Sequence, residues 1–258
     1  MKSLRSSLAL AATLIVIAVN AVANTLRING YATGQLSDMN PTGFTPAGWV
    51  FAIWSLIYAG LLAYSVACGF ASEQIKTRAQ SVLVPYLVSA FANVAWLLAW
   101  HYRQVNLSFL FMLVILGSLI RIYTQLRKQA RPTLAQRVLV DLPFSLYIGW
   151  ITTATLANLG AVFFAEQFYP AGLVMDQWAL ATVVLAVAIY VGVGVFTRDI
   201  VYCAVFVWAS IGIALKPTGI SDPVKLAASA GTAVLSITIL WIIAMWLANR
   251  WHHRTKPA

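Results

Sequence analysis

The chain alternates long apolar stretches with short polar connectors. Eight apolar stretches can be drawn, and they cover residues 8–23, 46–68, 81–100, 107–123, 138–164, 177–196, 200–215 and 224–247. A helix needs about 20 predominantly apolar residues to cross a bilayer, and the first and seventh stretches are the shortest of the set. The pattern predicts an all-α, polytopic integral membrane bundle of about eight transmembrane helices.

The composition agrees with that interpretation, since 61% of the residues are hydrophobic and only 9% are charged. The net charge of +10 could suggest a nucleic-acid partner, but such a partner requires basic residues gathered on one soluble face. Here the basic residues lie between apolar stretches. We therefore expect membrane lipid, and no nucleic acid, as a partner.

Lys and Arg residues are distributed unequally between the two sides that successive connectors would occupy. With the N-terminus inside, four of the 17 fall on the external side, namely Arg27, Arg103, Lys216 and Lys225, and thirteen fall on the other. Cytoplasmic connectors carry an excess of positive charge. The predicted location is the cell inner membrane, with the N- and C-termini both cytoplasmic.

A turn-rich segment leads into a charge-free aromatic helix between residues 41 and 58, which read PTGFTPAGWVFAIWSLIY. Phe51, Trp54 and Tyr58 recur there at i, i+3 and i+7, so they form one stripe on a helix face. Such a stripe can stack on a flat ligand, or it can be an ordinary helix-packing surface.

Two later stretches combine rings with amides. Asn93 and Trp96 share a face of the third stretch, and Trp150, Ala154 and Asn158 lie at i, i+4 and i+8 in the fifth. An amide at membrane depth needs a hydrogen-bond partner, either on a neighbouring helix or on a ligand. The small Ala154 leaves room between a ring and an amide, which suits a flat ligand or a close helix neighbour.

These three motifs, in this order, resemble those of the tryptophan-rich sensory proteins, the TspO/translocator-protein (peripheral benzodiazepine receptor, TspO/MBR) family. Pro46, Trp49 and Phe51 match the family's Pro-Pro-x-Trp-x-Phe pattern, and Trp54 with Tyr58 keeps its Trp-x-x-x-Tyr spacing. The motifs of the third and fifth stretches resemble the family's third and fifth helices.

The chain departs from the family pattern at one place in the second helix. The family's Gly-Pro-Val is replaced by Ala52-Ile53, which is one residue shorter. The deletion rotates Trp54 and Tyr58 by about 100° relative to Trp49.

The resemblance covers roughly residues 8–165, and it implies both a fold and a ligand. Residues 1–165 are expected to form a five-helix domain, and residues 166–258 to add three transmembrane helices and a basic cytoplasmic tail. The implied function is binding of a flat hydrophobic ligand for sensing or transport, either a tetrapyrrole such as protoporphyrin or haem, or a sterol-like lipid. No separate cofactor is expected to be required, and whether the protein forms a homodimer is left open. The residues expected to bind the ligand are Trp49, Phe51, Trp54, Tyr58, Asn93, Trp96, Trp150, Ala154 and Asn158.

The connector of residues 24–45 is long for a link between adjacent helices. Long connections are commonly lids or binding loops, and the resemblance implies that this one folds over the ligand cavity. An ordinary external loop is the alternative.

The N-terminus also fits a secretory signal peptide. Lys2 and Arg5 precede an apolar run that ends in Ala21-Val22-Ala23, a small-x-small cleavage pattern. Because the resembled family keeps its first helix, we expect this helix to be retained.

Ionisable residues are absent from the middle of the apolar stretches, which disfavours proton-driven pumps and ion-coupled transporters. The sequence also has no constellation typical of a hydrolase or a metalloenzyme, so whether it is an enzyme is left uncertain. A facilitator-type transporter or exporter of a small hydrophobic molecule is the alternative function. An enzyme acting on a porphyrin has less support, because no acid, base or metal-ligand set is evident.

Three histidines remain to be interpreted. His101, beside Trp100 and Tyr102, is expected at the membrane interface, with ligation of a haem iron as the alternative. His252 and His253 belong to the basic tail, which is expected to meet lipid headgroups.

Overall fold

The computed structural model describes residues 2–254, and the surroundings of the side chains from 4 to 249. Within that range the chain forms eight long helices and no strand: α1 (Lys2–Thr25), α2 (Ile53–Phe70), α3 (Leu83–His101), α4 (Val105–Arg127), α5 (Leu142–Ala165), α6 (Met175–Thr197), α7 (Ile200–Ala214) and α8 (Asp222–Arg254). A 3-10 turn, Gly48–Ala52, leads into α2, and a π-helical turn, Arg137–Asp141, leads into α5. The predicted all-α membrane bundle is confirmed, and each predicted stretch corresponds to one helix.

Helix α7 differs from the others in length. Seven apolar segments of the described chain are long enough to cross a membrane, whereas the 15 residues of α7 span about 22 Å, less than the ~30 Å of a hydrocarbon core. Helix α7 nevertheless reaches both ends of the bundle. Asp199, directly before it, pairs with Arg127 at the end of α4, and Gly212 in its last turn lies against Val50 before α2.

The approach of α7 to the start of α2 depends on Gly212. A Cβ atom added there would lie 2.0 Å from Cγ2 of Val50, so a larger residue would force the two elements apart. The amide of Ala47 donates to the carbonyl oxygen of Gly212 at 3.0 Å. Glycine thus allows a backbone hydrogen bond between the last three helices and the segment that leads into α2.

One hydrophobic core joins all eight helices. It contains at least one fully buried residue from each of them, for example Ala9, Ile57, Tyr86, Ile115, Tyr147, Val183, Phe206 and Leu235. Helices α6 and α7 pack directly on α5, and α8 packs on α6 and α7. The proposed division between residues 1–165 and 166–258 stays a prediction.

We name the two ends of the bundle by what they carry. The connector end carries the segment of residues 26–47, including a short helix, Thr33–Asp38. The tail end carries Arg78, Arg127 and Asp199, together with a nine-residue helix, Glu73–Ser81.

Arg78 is buried at the tail end, with 6% of its side chain exposed. Its Nε and Nη2 atoms donate to the two carboxylate oxygens of Asp141 at 2.8 and 2.9 Å. The same guanidinium donates to the carbonyl oxygens of Leu126 and Ala130. This network ties the start of α5 to the end of α4.

Asp199 is the second buried charge at this end, and its carboxylate accepts four hydrogen bonds. Its Oδ2 atom accepts from Arg127 at 2.9 Å, from the Tyr123 hydroxyl at 2.8 Å and from the Ser145 hydroxyl at 2.7 Å. Its Oδ1 atom caps α7 by accepting from the amide of Tyr202 at 3.1 Å. One side chain thus joins α4, α5 and α7.

Candidate ligand-binding cavity

An aromatic cavity lies at the connector end between α2, α3, α4, α5 and the connector. Atom-free space there amounts to ≈ 590 Å³ with the open mouth included, and the cavity within it is narrow, with a volume of ≈ 50 Å³. Its walls combine rings, small residues and short polar side chains: Thr33, Ser37, Asn40, Thr42, Thr45, Pro46, Phe51, Trp54, Trp96, Trp100, Met112, Trp150, Thr153, Ala154, Ala157, Asn158 and Ala161.

Trp54 lies at the centre of the aromatic wall. Its ring stacks on Trp96 at 6.4 Å between centroids, and it meets Trp150 edge to face at 6.3 Å. Phe51 meets the other side of Trp150 at 5.8 Å, also edge to face. Aromatic rings in such offset and perpendicular arrangements attract one another beyond simple burial, so the wall is stable without a ligand.

Two buried indoles of the cavity, Trp96 and Trp150, differ in their hydrogen bonds. Nε1 of Trp96 donates to Oδ1 of Asn158 at 3.2 Å, and Nδ2 of Asn158 donates in turn to the Ser108 hydroxyl at 3.2 Å. Trp150 is 2% exposed, yet its Nε1 atom has no acceptor. Among the described residues, only Ser221 Oγ shares that condition.

The connector forms the outer wall of the cavity, as the resemblance implied. Thr33, Ser37 and Asn40 line the cavity from the short helix and the turn after it. Leu36, from the same short helix, is buried against Trp100 and Ala161. This apolar contact holds the connector over the cavity.

His101 fastens the connector to the end of α3. Its ring is fully buried, and it lies 3.0 Å from the carbonyl oxygen of Ile28 through Nδ1 and 3.1 Å from the Thr33 hydroxyl through Nε2. Since a carbonyl only accepts, Nδ1 carries the proton and Nε2 accepts from Thr33. His101 is the last residue of α3 and is covered by the connector, so neither ring nitrogen is free for a haem iron. Its position at the membrane interface stays a prediction.

Helix α6 supports the cavity wall from behind. The Tyr190 hydroxyl lies 2.8 Å from Oγ1 of Thr153, which lines the cavity, and it also donates to the carbonyl oxygen of Gly149. Because the Tyr190 hydroxyl donates its hydrogen to the carbonyl oxygen of Gly149, its oxygen accepts a hydrogen bond from the Thr153 hydroxyl. The one hydroxyl that α5 contributes to the cavity lining is thus oriented by a residue outside the first five helices.

Six of the nine predicted site residues line the cavity: Phe51, Trp54, Trp96, Trp150, Ala154 and Asn158. Tyr58 lies one turn further along α2 and stacks on Trp54 at 5.5 Å. Trp49 is 46% exposed and packs against Trp208 of α7 at 4.7 Å, outside the cavity. Trp49 belongs to the 3-10 turn Gly48–Ala52, before α2 begins.

Asn93 also lies outside the cavity, and its side chain is fully buried. Its side-chain oxygen accepts from Asn20 of α1 at 3.1 Å, and its nitrogen donates to the Tyr147 hydroxyl at 3.2 Å. Its amide therefore serves an interface between helices, which was the alternative open from the sequence.

Several wall residues were not identified from the sequence. Thr153, Ala157 and Ala161 continue the helix face that begins at Trp150 and passes through Ala154, so the 3.6-residue period could have found them. Met112 of α4 and the connector hydroxyls had no comparable signal. Within the described residues there is no cluster of three His, Cys, Asp or Glu side chains that could hold a metal ion.

The fold and the cavity together define a polytopic helical membrane protein with an aromatic pocket under a long connector. The chain matches the model of the family described as TSPO-like protein over residues 6–241, and it belongs to that family. The match continues past residue 165 into α8. No curated protein and no solved structure is significantly similar to the chain.

Proposed function

We propose that the protein binds a flat, largely apolar ligand in the aromatic cavity, and that the ligand carries a hydrogen-bond acceptor. The unpartnered Nε1 of buried Trp150 is the observation that carries this proposal. A buried donor without a partner costs about 1 to 3 kcal/mol, and an acceptor on a ligand in the cavity would remove that cost. A tetrapyrrole such as protoporphyrin or haem fits this description, with a sterol-like lipid as the second candidate.

The chemistry of the walls fits such a ligand. Trp54 and Trp96 line the cavity with rings that can stack on a flat ligand once they move apart. Ala154 and Ala157 contribute only small side chains to the lining. Sites for drug-sized ligands occupy about 300 to 1,000 Å³. The atom-free space of ≈ 590 Å³ falls in that range, whereas the narrow cavity of ≈ 50 Å³ is well below it. Binding would therefore require the connector and the rings to move apart.

Passage of a ligand through the bundle, as in a facilitator, would also need an opening at the tail end. The described residues there are held by the Arg78–Asp141 and Arg127–Asp199 pairs. These pairs favour binding and sensing over transport.

Tryptophan-fluorescence quenching tests the proposal. Purified protein in detergent is titrated with protoporphyrin, haem and a sterol, and Ala154→Phe is expected to weaken protoporphyrin binding at least tenfold, about 1.4 kcal/mol, because the added ring fills the cavity. The control is Ala181→Phe, since Ala181 is exposed on α6, and it should bind normally. Unchanged binding by Ala154→Phe, or unfolding of that variant before loss of binding, would count against the cavity.

We further propose that the tail end faces the cytoplasm of the inner membrane. The support is the unequal distribution of Lys and Arg, although the side chains of Arg250, Arg254 and Lys256 lie outside the described residues. Reporters fused after Arg131 and after Pro257 should indicate the cytoplasm, and one inserted near Phe168 the external side. An external C-terminus would refute an eight-crossing chain.

A further inference from the structure

A second, polar pocket lies beside the aromatic cavity at the connector end. It is formed where the connector meets the loop between α7 and α8, and its volume is ≈ 380 Å³. Asp38, Thr42 and Thr45 line it from the connector, and Lys216 and Thr218 from the loop. It is the roomier of the two spaces.

The two spaces share a wall. Thr42 and Thr45 line both of them, and their hydroxyl oxygens are 3.0 Å apart in a mutual hydrogen bond. A molecule that filled the aromatic cavity with a ring system could therefore place a substituent in the polar pocket.

Lys216 is the cation of the polar pocket. Its Nζ atom donates to Oδ1 of Asp38 at 2.9 Å and to the carbonyl oxygen of Thr45 at 3.3 Å. An ammonium group has three donors, so these two bonds leave one donor for a further acceptor. The lysine is held in place, because only 17% of its side chain is exposed.

The partner of Lys216 is much less fixed. The side chain of Asp38 is 64% exposed, and an ion pair with such an exposed member is weak because water screens it. Asp38 can turn into water at little cost, whereas Lys216 would keep its position and lose its counter-ion. An anionic group from a ligand can replace Asp38 there.

We propose that the polar pocket receives a carboxylate of the same ligand whose ring system occupies the aromatic cavity, with Lys216 as its counter-ion and Asp38 displaced. The inference rests on the proposed function, and it narrows the ligand to an amphipathic flat molecule with an acidic side chain. Because Asp38 belongs to the connector, the exchange would also release the connector from the α7–α8 loop when the ligand binds.

The test compares protoporphyrin with its dimethyl ester, which has the same ring system and no carboxylate. Affinities for both are measured by fluorescence quenching with the full-length protein and with Lys216→Gln, Asp38→Asn and Lys225→Gln. Lys225 is at the same end, in the first turn of α8, and lines neither pocket, so Lys225→Gln controls for the loss of one positive charge.

Lys216→Gln should weaken binding of the acid by about tenfold and change binding of the ester much less, since a charge-assisted hydrogen bond is lost only with the acid. Asp38→Asn should strengthen binding of the acid, by up to about fivefold, because a competing anion has been removed. Lys225→Gln should leave the ratio of the two affinities unchanged.

Equal losses for acid and ester in Lys216→Gln, or the same loss in Lys225→Gln, would overturn the inference while leaving the aromatic cavity intact. If the acid and the ester both fail to bind the full-length protein, the proposed function fails, and the inference fails with it. Thermal unfolding of each variant identifies any that is misfolded, and in that case Lys216→Arg, which keeps the charge, must restore the preference for the acid.

Discussion

The two ends of the bundle differ in whether all of their polar side chains have fixed hydrogen-bond partners. At the tail end, Asp199 accepts four hydrogen bonds, and Arg78 is bound to a carboxylate and to backbone carbonyls. At the connector end, Trp150 has a buried donor without an acceptor, and Lys216 is paired with an exposed carboxylate. Satisfied groups hold helices together, whereas unsatisfied or exchangeable ones leave room for a ligand.

The first prediction removes the counter-ion of buried Arg78 at the tail end. Asp141→Ala should lower the free energy of unfolding by about 3 to 5 kcal/mol, because Arg78 would remain buried without its counter-ion. Chemical denaturation in detergent measures the loss. Glu73→Ala is the control at the same end, since Glu73 is 66% exposed in its pair with Lys76, and it should cost less than about 1 kcal/mol.

The double variant Arg78→Met, Asp141→Ala sharpens this test. It removes both charges, so most of the lost stability should return. If the double variant is as unstable as Asp141→Ala alone, the cost does not come from an unpaired charge.

The second prediction compares two of the four indoles that line the cavity. Trp96→Phe and Trp150→Phe remove the same atoms from two buried sites, but only Trp96 loses a hydrogen bond, the one to Asn158. Without ligand, Trp96→Phe should be the less stable variant by about 1 to 3 kcal/mol. Thermal or chemical unfolding of the two proteins side by side gives the difference, and equal stability would mean that Trp150 has an acceptor in the free protein.

The third prediction, which has the smallest expected effect, removes the contacts of His101 with the connector. His101→Phe removes the hydrogen bonds to Ile28 and Thr33, each worth about 0.5 to 1.5 kcal/mol. Bound protoporphyrin should then dissociate faster in a stopped-flow competition experiment, because the connector covers the cavity. Tyr102→Phe, at the exposed neighbouring position, should dissociate at the normal rate; a similar increase there would show that the effect is not specific to the His101 contacts.

The sequence predicted the connector end better than the tail end. Trp150, Ala154 and Asn158 follow one helical period, so a local pattern was enough to place them on a common face. Arg78 and Asp141 are 63 positions apart; Arg78 lies in the connector before the third apolar stretch, and Asp141 lies near the start of the fifth. Pairing over such a distance depends on how the helices pack, which no local pattern records.

The same distinction applies to the predicted site residues that lie outside the cavity or under the connector. Trp49 is close to Phe51 in sequence, but in the 3-10 turn it packs against Trp208 of α7. The burial of His101 depends on the path of the connector, since its partners Ile28 and Thr33 are more than 60 residues away. Residues whose role depends on a returning loop cannot be assigned from helix periodicity.

The contacts made by α6 and α7 have a consequence for what surrounds the first five helices. Tyr190 donates to the carbonyl oxygen of Gly149, and Nε1 of Trp208 donates to the carbonyl oxygen of Val50 at 2.9 Å. A hydrocarbon chain offers no donor to such oxygens. Helices α6 and α7 therefore supply, in fixed positions, hydrogen-bond donors to the backbone around the cavity, which lipid chains in the same place could not do.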